Sequence, residues 1–344
     1  MDNRIIENIM KEKNFDERLK DLPAPVENIG YQSEATIRCA KCERANPPHR
    51  ADCFYCGAEL ESSAAQRQFL KPNRRKLEAW EKGFNVIIFP TSPIFDRSKI
   101  TEIARILKTE TAVLQKIIEA GKPLPVVRVE SEAEAGTVRQ WLENFGIESI
   151  VLSDEKLGSG RFPQRLRGIE FFDDKLILIL FNRDEIVEIP EKDLALIVTG
   201  AIFERRIQAT EVYGKRGARK LLDSTETAFD EPLIDIYSRR EAFGWRIPAK
   251  GFDFSGLDAE KGILAQDNLK KLAAKLENFA PNAKVVNDYL QIRERLADVW
   301  EVDRKTDSQG LKRGGIGKFN LGNVTSVNNG AQMTKYSRLH RNLL

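Results

Sequence analysis

The stretch CAKCERANPPHRADCFYC, residues 39–56, contains all four cysteines of the 344-residue chain. They form two C-x2-C pairs that are separated by ten residues. Two such pairs can turn four thiolates towards one ion, and zinc takes four sulfur ligands in a closed tetrahedral site. Gly57 follows the second pair directly, where a turn often needs the positive φ that glycine tolerates. The spacing therefore predicts one structural zinc ion bound by Cys39, Cys42, Cys53 and Cys56.

The compartment decides between zinc and its alternatives, which are two disulfides or four free thiols. The first twenty residues mix acids with bases, which is not the pattern of a signal peptide. The most apolar stretch, LILILF at 176–181, has the length of a strand and is too short to cross a membrane. We therefore expect a cytoplasmic protein without a transmembrane segment, in which reduced thiols favour metal. With four cysteines available, we interpret His49 as a loop residue.

The longer stretch CAKCERANPPHRADCFYCGAEL, residues 39–60, resembles the small zinc ribbons of many bacterial multidomain proteins. The matching features are Asn46 and Pro47 after the first cysteine pair and a Gly-Ala-x-Leu ending after the second. The same spacing fits the Ran-binding type of zinc finger, but that family usually has tryptophan where this chain has Ile37. The ribbon resemblance implies structural zinc, and it implies that the module binds nucleic acid or protein or braces a neighbouring domain.

From Phe84 to Leu152 the sequence predicts the order β-α-α-β-α-β. The strands are NVIIF, LPVVRV and IESIVL, and the first two helices are SKITEIARILK and TAVLQKIIEAG. Gly121 is expected to end the second helix. Ser131 and Glu134 form a capping box, which predicts the start of the third helix.

This segment is similar to the C-terminal domain of ribosomal protein L7/L12. The similarity rests on the element order, on FNVII at its start and on SEAEAGTVRQWLENFGIESIVL at its end. The ribosomal family binds translation factors through a helix pair that is rich in lysine and glycine. Here the corresponding stretch reads RILKTETAVLQK, without the glycines or a dense row of lysines. The resemblance therefore implies the fold and a protein-docking surface on the helix pair.

The next region, 158–302, is rich in strands and ends in helices. GIEFF, KLILILF and EIVEIP are separated by short polar stretches that signal hairpins, and we interpret Asp173 and Asp174 as turn residues. A helix is predicted for DNLKKLAAKLENF, ending before Pro281, and a second helix with an apolar face runs from Val285 to Trp300. Hairpins capped by a helix resemble the pleckstrin-homology-like barrels, which implies a closed antiparallel barrel that binds a phosphoinositide, a peptide or no small ligand.

We interpret two basic segments of the chain differently. The stretch DLALIVTGAIFERRIQATEV, residues 193–212, predicts one or two strands. For the bases of GAIFERRIQATEVYGKRGARK, residues 200–220, we expect an exposed loop between strands, with a phosphate contact as the alternative; they are Arg205, Arg206, Lys215, Arg216, Arg219 and Lys220. The stretch from Asp303 to Leu344 has eight bases and two acids and is rich in Gly, Asn and Ser, which predicts a disordered tail. Its last residues fit either a frayed terminus or a short docking segment.

No enzyme signature is found in the sequence. RGGIGK lacks the spacing of a phosphate-binding loop, because Phe319 follows Lys318 where Ser or Thr is needed. The only two histidines, His49 and His340, fall in segments that we expect to be poorly structured. Because zinc takes the four cysteines, we predict a protein that is not an enzyme and has no catalytic residues.

Together these patterns predict a multidomain α+β protein. Its parts are an N-terminal helix and linker (1–34), a zinc ribbon (35–61), a basic linker helix (62–83), an α/β domain like that of L7/L12 (84–157), an antiparallel β-barrel capped by helices (158–302) and a basic disordered tail (303–344). Acids exceed bases in residues 1–302, which favours a cytosolic adaptor or scaffold that docks protein partners. The alternative is a nucleic-acid- or ribosome-associated protein that binds through the zinc ribbon and the basic tail.

Overall fold

The computed structural model describes most of the chain and divides it into two compact units, Met1–Pro72 and Asn73–Leu344. The described part is mixed α+β, as predicted. The residues that the structure describes are 37–46, 53–58, 60, 77–78, 81–89, 97–158, 160–183, 185–213, 219–241, 243–315 and 318–344. The expected N-terminal helix and most of the basic linker helix lie outside them.

The first unit contains a two-stranded hairpin of β1 (Ile37–Arg38) and β2 (Ala45–Asn46). Its described core is small and consists of Ile37, Cys39, Cys53 and Leu60. The described residues of this unit bury too little apolar area to hold a fold by themselves.

The second unit begins with the predicted β-α-α-β-α-β order, which the structure confirms. The central strand β3 pairs antiparallel with β4 on one side and β5 on the other. At the start of α3, the Ser131 hydroxyl accepts a hydrogen bond from the backbone N–H of Glu134, and after α2 Gly121 has the positive φ expected of a helix end. The bounds are β3 Phe84–Ile88, α1 Arg97–Leu107, α2 Thr111–Glu119, β4 Leu124–Val129, α3 Glu132–Asn144 and β5 Ser149–Ser153.

A large curled sheet forms the rest of the second unit. The strand order is β13-β14-β9-β10-β11-β6-β7-β8, with the short β12 parallel to β9. The predicted hairpins β6-β7-β8 are confirmed, with Asp173 and Asp174 at the first turn. The bounds are β6 Gln164–Phe171, β7 Lys175–Leu180, β8 Ile186–Pro190, β9 Leu194–Tyr213, β10 Arg219–Ser238, β11 Trp245–Pro248, β12 Lys284–Val286, β13 Asp303–Gly315 and β14 Lys318–Asn328.

The sheet is a half-barrel, whereas a closed barrel was expected. Within the described residues the end strands β13 and β8 do not pair with each other, so the order is an open path. The strand prediction for 193–212 is confirmed by β9, whereas the loop expected for the bases of 200–220 is wrong for Arg205, Arg206, Arg219 and Lys220. There β9 and β10 run side by side for twenty residues each, because their backbone groups pair along the whole hairpin.

Helices pack against both faces of the large sheet. In α4 (Ala265–Phe279) the predicted apolar stripe is buried through Leu269, Leu272 and Leu276, and Phe279 is partly buried. The predicted second helix is shorter than expected, because Val285 and Val286 belong to β12 and α5 spans Tyr289–Leu296. Residues of the predicted domains 84–157 and 158–302 share one buried cluster, which includes Ile87, Leu196 and Trp300.

The predicted disordered tail is wrong for the part of 303–344 that the structure describes. It forms β13, β14 and the helix α6 (Gly330–Asn342). Its polar composition suggested that it cannot bury enough apolar area to fold alone. The two strands instead extend the sheet from β9, and Met333, Tyr336 and Leu339 place one face of α6 in the shared core.

Polar residues of α6 also form buried ion pairs and hydrogen bonds. The Lys335 Nζ lies 2.9 Å from a carboxylate oxygen of Asp154, whose other oxygen accepts a 2.7 Å hydrogen bond from the Arg128 Nε. Asp154 is fully buried and also accepts hydrogen bonds from the Gly83 backbone and the Asn85 side chain. One carboxylate therefore holds two buried cations from β4 and α6.

Two further contacts of α6 reach β11 of the large sheet and the turn that precedes β6. Arg246 forms a bidentate pair with Asp235, at 2.7 and 2.8 Å, and its guanidinium donates to the Thr334 hydroxyl. The Arg338 guanidinium donates to the Gly158 carbonyl at 2.8 Å. Gly158 has a φ of +70°, and a Cβ atom there would lie 1.3 Å from the Arg338 guanidinium, so this turn requires glycine.

His340 is buried in α6, whereas the sequence placed it in a poorly structured segment. It is 4% exposed, and neither ring nitrogen has a hydrogen-bond partner among the described residues. Burial, helped by the charges of Lys284 and Lys122, lowers the pKa of His340 to about 4, although Asp288 opposes this. The Tyr336 ring packs edge-on against the imidazole.

We expect acid to destabilise the protein through His340. A folded-state pKa below the unfolded value of about 6.5 means that the neutral form is favoured in the fold, so stability is lost as pH falls below about 6.5. From the pKa of about 4, the loss between pH 7 and pH 5 is about 2 kcal/mol. Urea denaturation at the two pH values measures it. His340→Phe should remove this part of the pH dependence, and an unchanged dependence in the variant would contradict the assignment.

Candidate metal centre

The four predicted cysteines lie together in the structure. The Sγ atoms of Cys39 and Cys56 are 3.5 Å apart, and those of Cys42 and Cys53 are 3.4 Å apart. All four sulfur atoms lie within 4.8 Å of one another. Tetrahedral ligands at a Zn–S distance of about 2.3 Å lie about 3.8 Å apart, so this cluster has the size of a four-thiolate metal site.

The first cysteine pair is shaped by a tight backbone turn. The Cys39 carbonyl accepts a hydrogen bond of 2.8 Å from the N–H of Glu43, and the Cys39 N–H donates to the Arg44 carbonyl. Glu43 has a φ of +59°, which is uncommon for a residue with a side chain. The turn brings the Cys39 and Cys42 thiols to the same side of the backbone.

The second pair repeats this turn at equivalent positions. The Cys53 carbonyl accepts from the N–H of Gly57 at 2.9 Å, and the Cys53 N–H donates to the Ala58 carbonyl at 2.7 Å. Gly57 has a φ of +68°, which confirms the sequence interpretation of this glycine. The centre is therefore built from two similar knuckles that face each other.

Asn46 connects the two knuckles. Its side chain is fully buried, and its amide nitrogen donates to the Arg44 carbonyl and, at 3.4 Å, to the Cys53 sulfur. Its amide oxygen accepts a 2.9 Å hydrogen bond from the Phe54 N–H. The sequence marked this asparagine only through a family resemblance, and the structure supplies its physical role.

Backbone N–H groups favour thiolates at the centre. The N–H of Cys42 is the main group that lowers the pKa of Cys39. At Cys53 burial opposes ionisation, but the N–H groups of Tyr55 and Cys56 outweigh it and lower the pKa to about 6. The Arg44 N–H also favours the Cys42 thiolate, yet burial and the hydrogen bonds that the protonated Cys42 donates to the other cysteine sulfurs raise its pKa. The surroundings therefore favour the thiolate form of Cys39 and Cys53, and a cation bound by all four sulfurs would displace the remaining protons.

Two large aromatic side chains stand between the last two cysteines. Phe54 is 68% exposed and Tyr55 is 52% exposed, with their rings edge-on at 5.4 Å. The Arg44 guanidinium lies 4.8 Å from the centre of the Tyr55 ring. This cluster was not predicted, although the two aromatic residues of CFYC are visible in the sequence.

The other sequence candidates lie outside the described residues or in the second unit. His49 lies outside the described residues, and His340 belongs to the second unit. In the described part of 200–220, Arg205 forms a bidentate pair with Glu226 on the neighbouring strand. Among the described residues, the cysteine cluster is the group of possible metal ligands that the structure assembles.

The chain was compared with protein families, curated proteins and solved structures. No family model, curated protein or solved structure matches the chain. In the described part of the chain, no helix combines the length and the apolar character that crossing a membrane requires.

Proposed function

We propose that this chain is a non-enzymatic, zinc-containing cytosolic adaptor whose cysteine module docks a protein partner. The observation that carries the proposal is the exposed cluster of Arg44, Phe54 and Tyr55 on a module held by four cysteines. Aromatic residues and arginine are enriched in protein–protein interfaces, where they supply most of the binding energy. The knuckle turn fixes the backbone of this cluster, so little conformational entropy is lost when a partner binds.

Zinc is the ion that we propose for the centre. Four thiolates in two C-x2-C knuckles with S–S distances from 3.4 Å upwards suit a closed tetrahedral site. Such a site has no open position for a substrate and therefore acts through folding. We further propose that 84–157 is an L7/L12-like docking domain, which its central antiparallel strand and helix pair support.

Native mass spectrometry should find one zinc ion per chain, and Cys53→Ser should lose it. Because the module depends on the metal, the variant is expected to unfold locally, while the second unit keeps its own core. Tryptophan fluorescence during thermal unfolding should therefore be unchanged. His49→Ala is the matched control and should keep the zinc. Freshly purified wild-type protein without zinc would contradict the assignment.

Affinity capture with quantitative mass spectrometry tests the docking function. The bait is the full-length protein, and the test variant is Phe54→Ala/Tyr55→Ala. Phe162→Ala is the control, because Phe162 is equally exposed in the second unit, at 62%. We expect at least a tenfold loss of specific proteins with the double variant and no loss with the control. Both variants must keep one zinc ion, and equal capture by all three baits would overturn the proposal.

The alternative is that the same cluster binds nucleic acid. Arginine beside exposed aromatic rings also suits bases that stack from a single strand. Fluorescence anisotropy with single-stranded RNA at 150 mM salt distinguishes the two functions. Submicromolar binding that disappears in Phe54→Ala/Tyr55→Ala would replace the adaptor proposal with the nucleic-acid one.

A further inference from the structure

Two basic segments that are far apart in the sequence meet at one end of the large sheet. We name as the β-arm the outer parts of four neighbouring strands, residues 203–213, 219–230, 303–315 and 318–328. Its register pairs Val212 with both Lys220 and Asn320, and Asn320 with Lys312. These four residues therefore form one row across all four strands, with a lysine position at each edge.

The positions beside this row are also basic. Arg219 pairs with Tyr213, Arg313 with Phe319, and Lys318 with Gly315. The outer end of the β-arm comprises residues 211–213, 219–222, 311–315 and 318–322, and it contains a single acid, Glu211, against five bases, which are Arg219, Lys220, Lys312, Arg313 and Lys318.

Closer to the core, in residues 203–210, 223–230 and 303–310, six acids outnumber four bases. Arg205 pairs with Glu226 at 2.8 Å, and Arg293 of α5 pairs with Asp230 at 2.5 Å. The positive excess of the β-arm therefore lies at its outer end.

The outer end lies beyond the two large buried clusters of the second unit. In β9 the last residue described as buried is Ala201, about 35 Å from Val212 at a rise of about 3.3 Å per residue. In the neighbouring β14, Gly322 and Val324 are still buried, opposite Thr210 and Gln208. Along the two edges of the β-arm, the side chains of residues 223–230 and 304–310 are exposed. A large ligand can therefore approach the end of the β-arm without contacting the core.

We propose that the outer end of the β-arm binds the phosphate backbone of nucleic acid without reading its bases. The two edge positions of the row, Lys220 and Lys312, are three strand spacings apart, or about 14 Å. One phosphate group cannot span this distance, whereas consecutive phosphates of a nucleic acid can. Lysine and arginine contacts to phosphates carry affinity without sequence preference, through release of counterions. This activity is independent of the docking function proposed for the cysteine module.

Fluorescence anisotropy with a labelled DNA duplex of mixed sequence tests the proposal on the full-length protein. The test variant is Lys220→Gln/Lys312→Gln/Arg313→Gln. For about four phosphate contacts, wild-type affinity should fall roughly 100-fold between 50 and 200 mM salt. The variant should bind at least tenfold more weakly at 100 mM salt, with a shallower salt dependence.

A matched control separates a local site from net charge. Lys99→Gln/Lys116→Gln/Lys270→Gln removes the same charge from exposed positions on α1, α2 and α4, and it should bind DNA as the wild type does. Equal losses in both triple variants, or no loss in the β-arm variant, would overturn the proposal. Vesicles with and without phosphatidylserine test the competing ligand. Binding to acidic vesicles without binding to DNA would also overturn it. The thermal midpoint must be unchanged in both variants.

Discussion

Removal of residues 329–344 is expected to abolish cooperative folding of the second unit. The deletion takes away Met333, Tyr336 and Leu339, which are fully buried in the shared core. Each large buried side chain typically contributes about 2–5 kcal/mol, whereas a whole domain is stable by only about 5–15 kcal/mol. The deletion also leaves Asp154 without Lys335 and Arg246 without Thr334. These losses together exceed the stability that a unit of this size has to spare.

Urea denaturation followed by far-ultraviolet circular dichroism measures this effect. The truncated chain should lose the cooperative transition, and a synthetic peptide of residues 329–344 should restore it in part when added at excess. Removal of Leu344 alone is the control, because that residue is half exposed. A full cooperative transition in the truncated chain would show that the second unit folds without α6 and would contradict the prediction.

Replacement of Asp154 by alanine is expected to cost about 3–5 kcal/mol of unfolding free energy. The variant leaves the Arg128 guanidinium and the Lys335 ammonium buried without their shared carboxylate. Removal of one partner from a buried ion pair has this size of effect, because the remaining charge stays desolvated. Asp267→Ala is the control, since its pair with Lys270 is exposed and should contribute less than about 1 kcal/mol.

The pH dependence of this difference provides an independent test. Burial opposes ionisation of Asp154, but Lys335 and Arg128 prevail and hold its pKa below the usual value of 3.8. A lowered pKa in the fold means that the stabilisation is fully present above about pH 4 and is lost as pH falls through the folded-state value. Wild type and Asp154→Ala should therefore converge in stability at strongly acidic pH. A constant difference down to pH 2 would contradict an ionic origin.

Local sequence signals predicted those parts of the molecule whose partners are near in sequence. The C-x2-C pairs and Gly57 are sufficient for the knuckles, since each turn closes within six residues. The capping interaction of Ser131 and the end of α2 at Gly121 likewise need no distant contact. The aromatic pair in CFYC was visible too, but its exposure depends on the turn geometry.

The parts that were predicted wrongly depend on distant partners. Arg338 contacts a carbonyl 180 residues earlier in the chain, and the same helix buries Lys335 against Asp154. A local pattern treats these residues as solvated, so it predicts disorder where the structure has a buried helix. The segment around Arg205 and Arg206 was predicted both as strand, from its apolar pattern, and as loop, from its bases, because its pairing with β14 is not visible locally.

The position of β14 between β13 and β9 has a consequence for the kinetics of folding. Val212 of β9 pairs with Asn320 of β14, and Gln164 of β6 pairs in parallel with Trp245 of β11. The sheet is therefore assembled from contacts between residues that are far apart in the sequence. Chains with high contact order fold slowly, because loop closure costs entropy before the contact forms. Until β14 arrives, one edge of β9 is unpaired and is a template for strands of other chains. We therefore expect refolding yield to decrease as protein concentration rises, and the β9 edge to be the site of early aggregation.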